Sequence, residues 1–318
     1  MKLALFGYGH LGKIHLQCLK QTPFHMAGIY DPVLSENVID ENIKVYTNAE
    51  DLINNSDACI IASTTSSHYS LAKLVLEHDK HLFLEKPMTS TIDQSSELVR
   101  MSAERPSLIT QVGFVERHNP AYLYLKPYIN KPRFIEVHRL STFNPRGNDV
   151  SVVYDLMIHD LDLILAMMQP EISEIRSNGV KVVSDNLDIC SARLEFEDGS
   201  VANLTASRIS MKKMRKFRLF QENGYLSMDL DKKESQIVKL SDLEFENAIP
   251  MSFGEQKKYM SIKSSGILEG NAILSELNEF YNSIQSGKAS KANLANAYET
   301  TLLADTIERT ALDALKNE

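Results

Sequence analysis

Residues 7 to 12 read Gly-Tyr-Gly-His-Leu-Gly. A short apolar run, Lys2 to Phe6, precedes them, and helical spacing from about Leu11 to Lys20 follows. Glycines at this spacing between a strand and a helix leave a chain few folds. Gly7 permits a tight turn, Gly9 lets another group approach the backbone, and Gly12 seats the helix closely on the strand. The pattern alone is weak, and its strand and helix context is what gives it meaning.

The next hundred residues keep that pattern. Strands are expected at Met26 to Tyr30, Lys44 to Tyr46, Ala58 to Ala62, His81 to Leu84 and Leu108 to Val112. Ser67 to His78 and Thr91 to Ala103 carry helical spacing. This alternation predicts a parallel sheet covered by helices on both faces. The character changes after Pro120, where Pro120, Pro127 and Pro132 cluster. Arg133 to Leu140 reads as a strand and about Tyr154 to Met168 as a helix. Asn178-Gly179, Asp198-Gly199 and Asn223-Gly224 each signal a hairpin turn. The clearest hairpin pairs Leu187 to Phe196 with Val201 to Ile209. Helices return at Asn271, where Ile273, Leu274, Leu277, Phe280, Tyr281 and Ile284 share one face and Gly287 ends the run. A last helix covers about Lys291 to Leu315. The fold class is α/β: a parallel sheet covered by helices over residues 1–120, then an α+β region with a mostly antiparallel sheet.

Composition narrows the function classes. A length of 318 residues fits about two domains. The 34 Lys and Arg against 42 Asp and Glu give a net charge of −8, which disfavours a nucleic-acid or anionic-membrane binder. No apolar run reaches the length of a membrane span. The first residues mimic a signal peptide, but Gly7, Gly9 and His10 interrupt the apolar stretch and no cleavage site follows. Cys18, Cys59 and Cys190 lie far apart, form no zinc pattern and fit a reducing cytoplasm.

Three groups of residues carry the chemistry. The glycine turn would place a pyrophosphate at a helix N-terminus. Asp31 ends the second strand, where a carboxylate accepts hydrogen bonds from ribose hydroxyls and repels a 2′-phosphate, which favours NAD over NADP. The competing reading is a glycine turn with no dinucleotide. Glu85-Lys86-Pro87 follows the fifth strand, at the sheet edge where ligands bind; a solvated lysine is the plain alternative. Asp155 and His159 stand four apart in an otherwise apolar helix, and Asp162 lies one turn further. An imidazole oriented by a carboxylate is a usable general base. A helix cap and a buried interface histidine are the structural alternatives. A metal site is the weaker reading, and none is expected.

These motifs, in this order, resemble the glucose–fructose oxidoreductase, inositol dehydrogenase and rhizopine-catabolism (Gfo/Idh/MocA) family, and the resemblance spans nearly the whole chain. It implies a C-terminal α+β domain with a large open sheet over 121–288, and a C-terminal helix, 289–318, packing back near the Rossmann domain. It implies NAD bound by Gly7, Tyr8, Gly9, His10, Leu11, Gly12 and Asp31. Ser63, Thr64, Thr65 and His68 would form the loop beside the nicotinamide, and Glu85 and Lys86 would complete the site. The family usually has proline at position 64 or 65, where this chain has threonine. Lys86, Asp155 and His159 would be the catalytic residues. The stretches Val112 to Pro120 and Thr205 to Ser210 are similar to those of UDP-N-acetylglucosamine 3-dehydrogenases, although His118 stands where phenylalanine is more usual. That likeness adds Arg117, Asn119, Arg208 and Lys213 to the substrate contacts. It also suggests that the basic run Lys212, Lys213, Arg215, Lys216 and Arg218 meets a diphosphate. The partner is then a sugar or UDP-sugar, with a homodimer or homotetramer expected by analogy. Inositol or a free aldose is the alternative substrate. A silent NAD-binding regulator and an internally balanced redox step are the alternative functions.

Overall fold

The computed structural model describes residues 1–34, 43–143, 150–253 and 256–316. They form two compact units: Met1–Val115 with Asn271–Leu302, and Glu116–Gly270 with Leu303–Glu318.

In the first unit the apolar runs become strands because both of their faces are covered. The elements in order are β1 (Lys2–Phe6), α1 (His10–Leu19), β2 (His25–Tyr30), β3 (Val45–Tyr46), α2 (Ala49–Asn54), β4 (Ala58–Ile61), α3 (Thr65–Glu77), β5 (His81–Leu84), α4 (Ile92–Ala103) and β6 (Thr110–Val112). Every strand pair is parallel, in the order β3-β2-β1-β4-β5-β6. The order reverses beside β1, and ligands of open parallel sheets bind at such a switch point. Asn48 caps α2 and Thr91 caps α4 through side-chain hydrogen bonds, whereas α1 and α3 begin with no side-chain cap. No side chain at Gly9 or Thr64 accepts from these first turns, although the Ser67 N–H of α3 reaches the Thr64 carbonyl at 2.9 Å.

The second unit opens with a 3₁₀ turn, Val115–His118, and α5 (Pro120–Leu125), which Asn119 caps. Then come β7 (Phe134–Leu140), a π turn (Val153–Met157) and α6 (Ile158–Met167). Eight strands follow: β8 (Ile172–Val180), β9 (Ile189–Phe196), β10 (Val201–Ser207), β11 (Met214–Gln221), β12 (Gly224–Asp229), β13 (Glu234–Ser241), β14 (Ile249–Phe253) and β15 (Gln256–Ile267). The sheet order is β14-β15-β13-β12-β11-β7-β10-β9-β8, antiparallel except where β10 meets β7. The Asp198-Gly199 turn forms as expected, with Gly199 at φ +76°. The hairpin signalled by Asn223-Gly224 also forms, but its turn is Glu222-Asn223, and Gly224 opens β12 opposite Gln221.

Two expectations are corrected. Asn178-Gly179 is not a turn: both residues lie inside β8, opposite Ser191 and Cys190. The chain reverses at 181–188 instead, where the buried Asp188 carboxylate accepts the N–H groups of Val182, Val183 and Ser184 and the Ser184 hydroxyl. Burial works against that charge, but the backbone donors prevail and hold the carboxyl down at about 2. The helix expected over 154–168 is not uniform: its first turn has π winding.

The last helices are α7 (Ala272–Ser286) and α8 (Leu294–Lys316). Gly287 closes α7 in the left-handed conformation, φ +66°. α7 belongs to the first unit, although its place in the chain had put it with residues 121–288. The reason is its apolar face. Leu277 and Phe280 are fully buried in one cluster with Leu16, Leu19 and Phe24, and Ile273, Leu274, Tyr281 and Ile284 pack against it. α8 gives its residues up to Leu302 to the first unit and the rest to the second. No helix among the described residues is long and apolar enough to cross a membrane.

The Phe280 ring centroid lies 6.0 Å from that of Phe24 and 5.7 Å from that of Phe83. Phe280→Ala is expected to destabilise the protein by about 3–5 kcal/mol, read as a lowered urea midpoint.

Candidate functional site

The glycine turn is built as its spacing requires. Gly7 stands at φ +93°, and a Cβ there would lie 2.6 Å from Ser63 Cα. A Cβ at Gly12 would collide with the Gly7 carbonyl. A Cβ at Gly9 would meet nothing within 4 Å. Gly9 therefore borders open space at the uncapped start of α1, whose first turn holds no acidic residue. An anionic phosphate fits there, on the N–H groups and the positive end of the helix.

That space is a cavity of about 620 Å³, lined by Gly7, Gly9, His10, Leu11, Asp31, Ser63 and Thr64, among others. Asp31 anchors its rim: Oδ2 accepts the Tyr8 N–H at 2.7 Å and Oδ1 accepts the Val33 N–H at 3.0 Å. Each oxygen keeps a lone pair for a further donor such as a ribose hydroxyl. Gly12 stands behind the turn in α1, and Thr65 starts α3. The residues fit a dinucleotide.

His68 and Glu85 do not line this cavity. His68 is buried, with Nδ1 2.9 Å from the Pro87 carbonyl and Nε2 3.2 Å from the Ser63 carbonyl. Burial lowers its pKa, and the two carbonyls only partly offset this. The Glu85 carboxylate turns inward and accepts a 2.7 Å hydrogen bond from Nε2 of the fully buried His15. Lys86 is half-buried and enters a cis peptide bond to Pro87.

In the second unit, Asp155 lies within the π turn and His159 in the first turn of α6, both half-buried. Winding of more than four residues per turn brings residues four apart closer to alignment, and π turns recur at functional sites. The flanking carboxylates Asp160 and Asp162 are buried and point elsewhere. Arg117 holds Asp162 through two 2.7 Å hydrogen bonds. Arg139 forks onto Asp160 at 2.7 to 2.9 Å and reaches Glu116 at 3.0 Å. Arg215 also reaches Glu116, at 3.3 Å. Burial opposes the Arg139 charge, but Asp160 and Glu116 outweigh it and raise its pKa.

Several expected substrate contacts are engaged by the protein's own groups. Asn119 caps α5 and donates to Glu116 and to the Leu230 carbonyl. Arg208 is buried and donates to the Val150 carbonyl at 2.6 Å, just before the π turn. Lys213 pairs with Asp231, Lys216 with Asp229 and Arg218 with Glu136, so most of the basic run faces acids within its own unit.

The sequence reading missed His15, Glu116, Arg139 and Asp160. Arg139 left a signal, because it occupies an inward position of the alternating strand β7. His15 left only its place three residues past Gly12.

Two outcomes follow. Gly9→Val should fold normally yet weaken NAD binding by at least about tenfold in titration calorimetry, whereas Gly12→Ala should lose folded protein. An unfolded histidine takes a proton near pH 6.5, which buried His68 resists. Its contribution to stability is therefore present above that pH and lost as pH falls. His68→Asn, which keeps a donor for Pro87, should lose less stability than the parent between about pH 7 and 5 in urea titrations.

Comparison with known proteins agrees with this geometry. Residues 1–114 match a model described as an oxidoreductase family with an NAD-binding Rossmann fold, and residues 131–227 match the Gfo/Idh/MocA C-terminal domain. A UDP-N-acetylglucosamine 3-dehydrogenase of Acidithiobacillus ferrooxidans is 34% identical over 233 residues, 72% of this chain and 74% of that protein. The solved structure of the enzyme GnnA, of that name and organism, superposes with a TM-score of 0.87 at 28% identity, over 98% of this chain and 97% of the other. A levoglucosan dehydrogenase solved with NADH and levoglucosan shares the fold, with a TM-score of 0.83 at 16% identity over 99% and 97% of the two chains. Together with the glycine turn, Asp31 and the two sheets, these matches make the chain a member of the Gfo/Idh/MocA family of NAD-binding oxidoreductases.

Proposed function

We propose that this protein oxidises the C3 hydroxyl of UDP-N-acetylglucosamine to the 3-keto sugar. The observation that carries the reading is the likeness to a UDP-N-acetylglucosamine 3-dehydrogenase over most of both chains. NAD⁺, when bound, accepts the hydride from the carbon that bears the hydroxyl. The chain supplies placement and charge. The first turn of α1 receives the pyrophosphate, and Asp31 takes the adenosine ribose. His159 takes up the hydroxyl proton at an imidazole nitrogen, and Asp155 orients the ring. The Lys86 ammonium stabilises the alkoxide as its charge develops. Thr65 and His68 support the loop beside the cofactor. Lys213, exposed and paired with Asp231, would exchange that partner for a substrate phosphate.

The three buried thiols, none in a disulfide, support a cytoplasmic setting. The outer face of the large sheet carries Phe134, Phe220 and Tyr225 in contact with one another, which supports a homodimer or homotetramer. Light scattering reads that mass directly.

The test is NADH formation across a panel of UDP-N-acetylglucosamine, myo-inositol and free aldoses. Turnover is expected with the UDP-sugar. Lys86→Ala and His159→Ala should each lower kcat by about 10²-fold or more with little change in NAD affinity. Full turnover in a folded Lys86→Ala protein sinks the role given to Lys86, and activity confined to inositol sinks the substrate.

A further inference from the structure

His15 is buried, titratable and outside the mechanism above. Its ring packs edge-on against Phe83, with centroids 5.7 Å apart. Nε2 donates to Glu85 Oε1 at 2.7 Å, while Nδ1 has no hydrogen-bond partner among the described residues. The whole polar capacity of this imidazole is thus directed at one carboxylate. Glu85 is equally constrained. Its Oε2 accepts the Lys86 N–H at 3.3 Å, its own N–H donates to the Ile61 carbonyl, and a Cβ at Gly113 would lie 2.7 Å from a carboxylate oxygen. Position 113 has to be glycine for the carboxylate to lie there.

A second imidazole bounds the same segment on its other side. His68 Nδ1 lies 2.9 Å from the Pro87 carbonyl and Nε2 3.2 Å from the Ser63 carbonyl, and the single N–H of the neutral ring serves the shorter contact, to Pro87. Lys86 therefore sits between two buried histidines, one on α1 acting through the residue before it, one on α3 acting through the residue after it. These are the two helices of the first unit whose N-termini border the cofactor cavity without a side-chain cap.

We propose that His15 and His68 are positioning residues that tie the Lys86 segment to the two cofactor-binding helices, so that cofactor occupancy fixes where Lys86 stands. The inference rests on the reading of the cavity as the NAD site and of Lys86 as a reacting group, and it assigns the histidines a role in coupling the two. Neither histidine touches the substrate. A ligand that orders the first turns of α1 and α3 restricts the ring on each helix, and through the rings the peptide groups on either side of Lys86.

Hydrogen exchange read by mass spectrometry, with NAD as the only ligand, tests this without any substrate. In the parent protein NAD is expected to slow exchange about tenfold both in the glycine turn, 7–12, and in segment 85–89. In His15→Leu the turn should remain protected while segment 85–89 loses its protection. His15→Gln, whose amide places a donor near the Nε2 position, should restore it. Undiminished protection of 85–89 in His15→Leu overturns the proposal, because direct contact with the cofactor would then suffice. Failure of His15→Gln to restore protection overturns it as well, because the donor would not be what matters. A parent whose glycine turn gains no protection fails the cofactor assignment itself, and the coupling with it. Should His15→Leu not fold, His68→Leu and His68→Asn read the other arm by the same criteria.

Discussion

The first unit depends on one close approach, the Cα of Gly12 against the carbonyl of Gly7. No side chain fits between them. This contact seats α1 on the end of β1, which aims the helix at the space beside Gly9. Because α1 is seated there, His15 on its inner side reaches the tip of β5 and holds Glu85. Because the β1 and β4 ends lie side by side at the reversal of strand order, Ser63 closes over Gly7. A pocket and a phosphate cradle thus both descend from a missing methyl group.

The second unit solves a different problem. Its helix with Asp155 and His159 is apolar enough to bury, yet it carries four charged or titratable residues within eight. The two that face inward, Asp160 and Asp162, are each met by an arginine fork from elsewhere in the unit. Removing one member of such a pair strands a buried charge, a loss of about 3–5 kcal/mol. Asp155 and His159 remain half-buried. The arginine forks account for the inward pair, which holds the helix, and the proposed chemistry falls on Asp155 and His159.

Much of this was legible in the sequence because it rests on local rules. The glycine turn, Asp31, the parallel alternation and the apolar face of α7 each follow from spacing alone. What was not legible depends on long-range pairing. Nothing near Arg139 in the chain announces Asp160 or Glu116, and nothing near His15 announces Glu85, seventy residues away. The Asn178-Gly179 signal misled because turn propensity is a local preference. Here the carboxylate of Asp188, gathering backbone donors further along, set the reversal elsewhere. Likewise the basic run 212–218 looks like an anion site in sequence, but strand pairing places acids opposite it.

The bare starts of α1 and α3 have a consequence for the protein's lifetime. Where α2, α4, α5 and α7 carry side-chain caps, these two border the cofactor cavity without one, so a bound dinucleotide would complete them. A fold finished by a small molecule has a stability that follows its supply. At a concentration a hundred times the dissociation constant, binding adds about 2.7 kcal/mol to the unfolding free energy. A cell depleted of the dinucleotide would then lose the protein to proteolysis as well as its turnover, and its abundance would become a slow record of the cofactor pool.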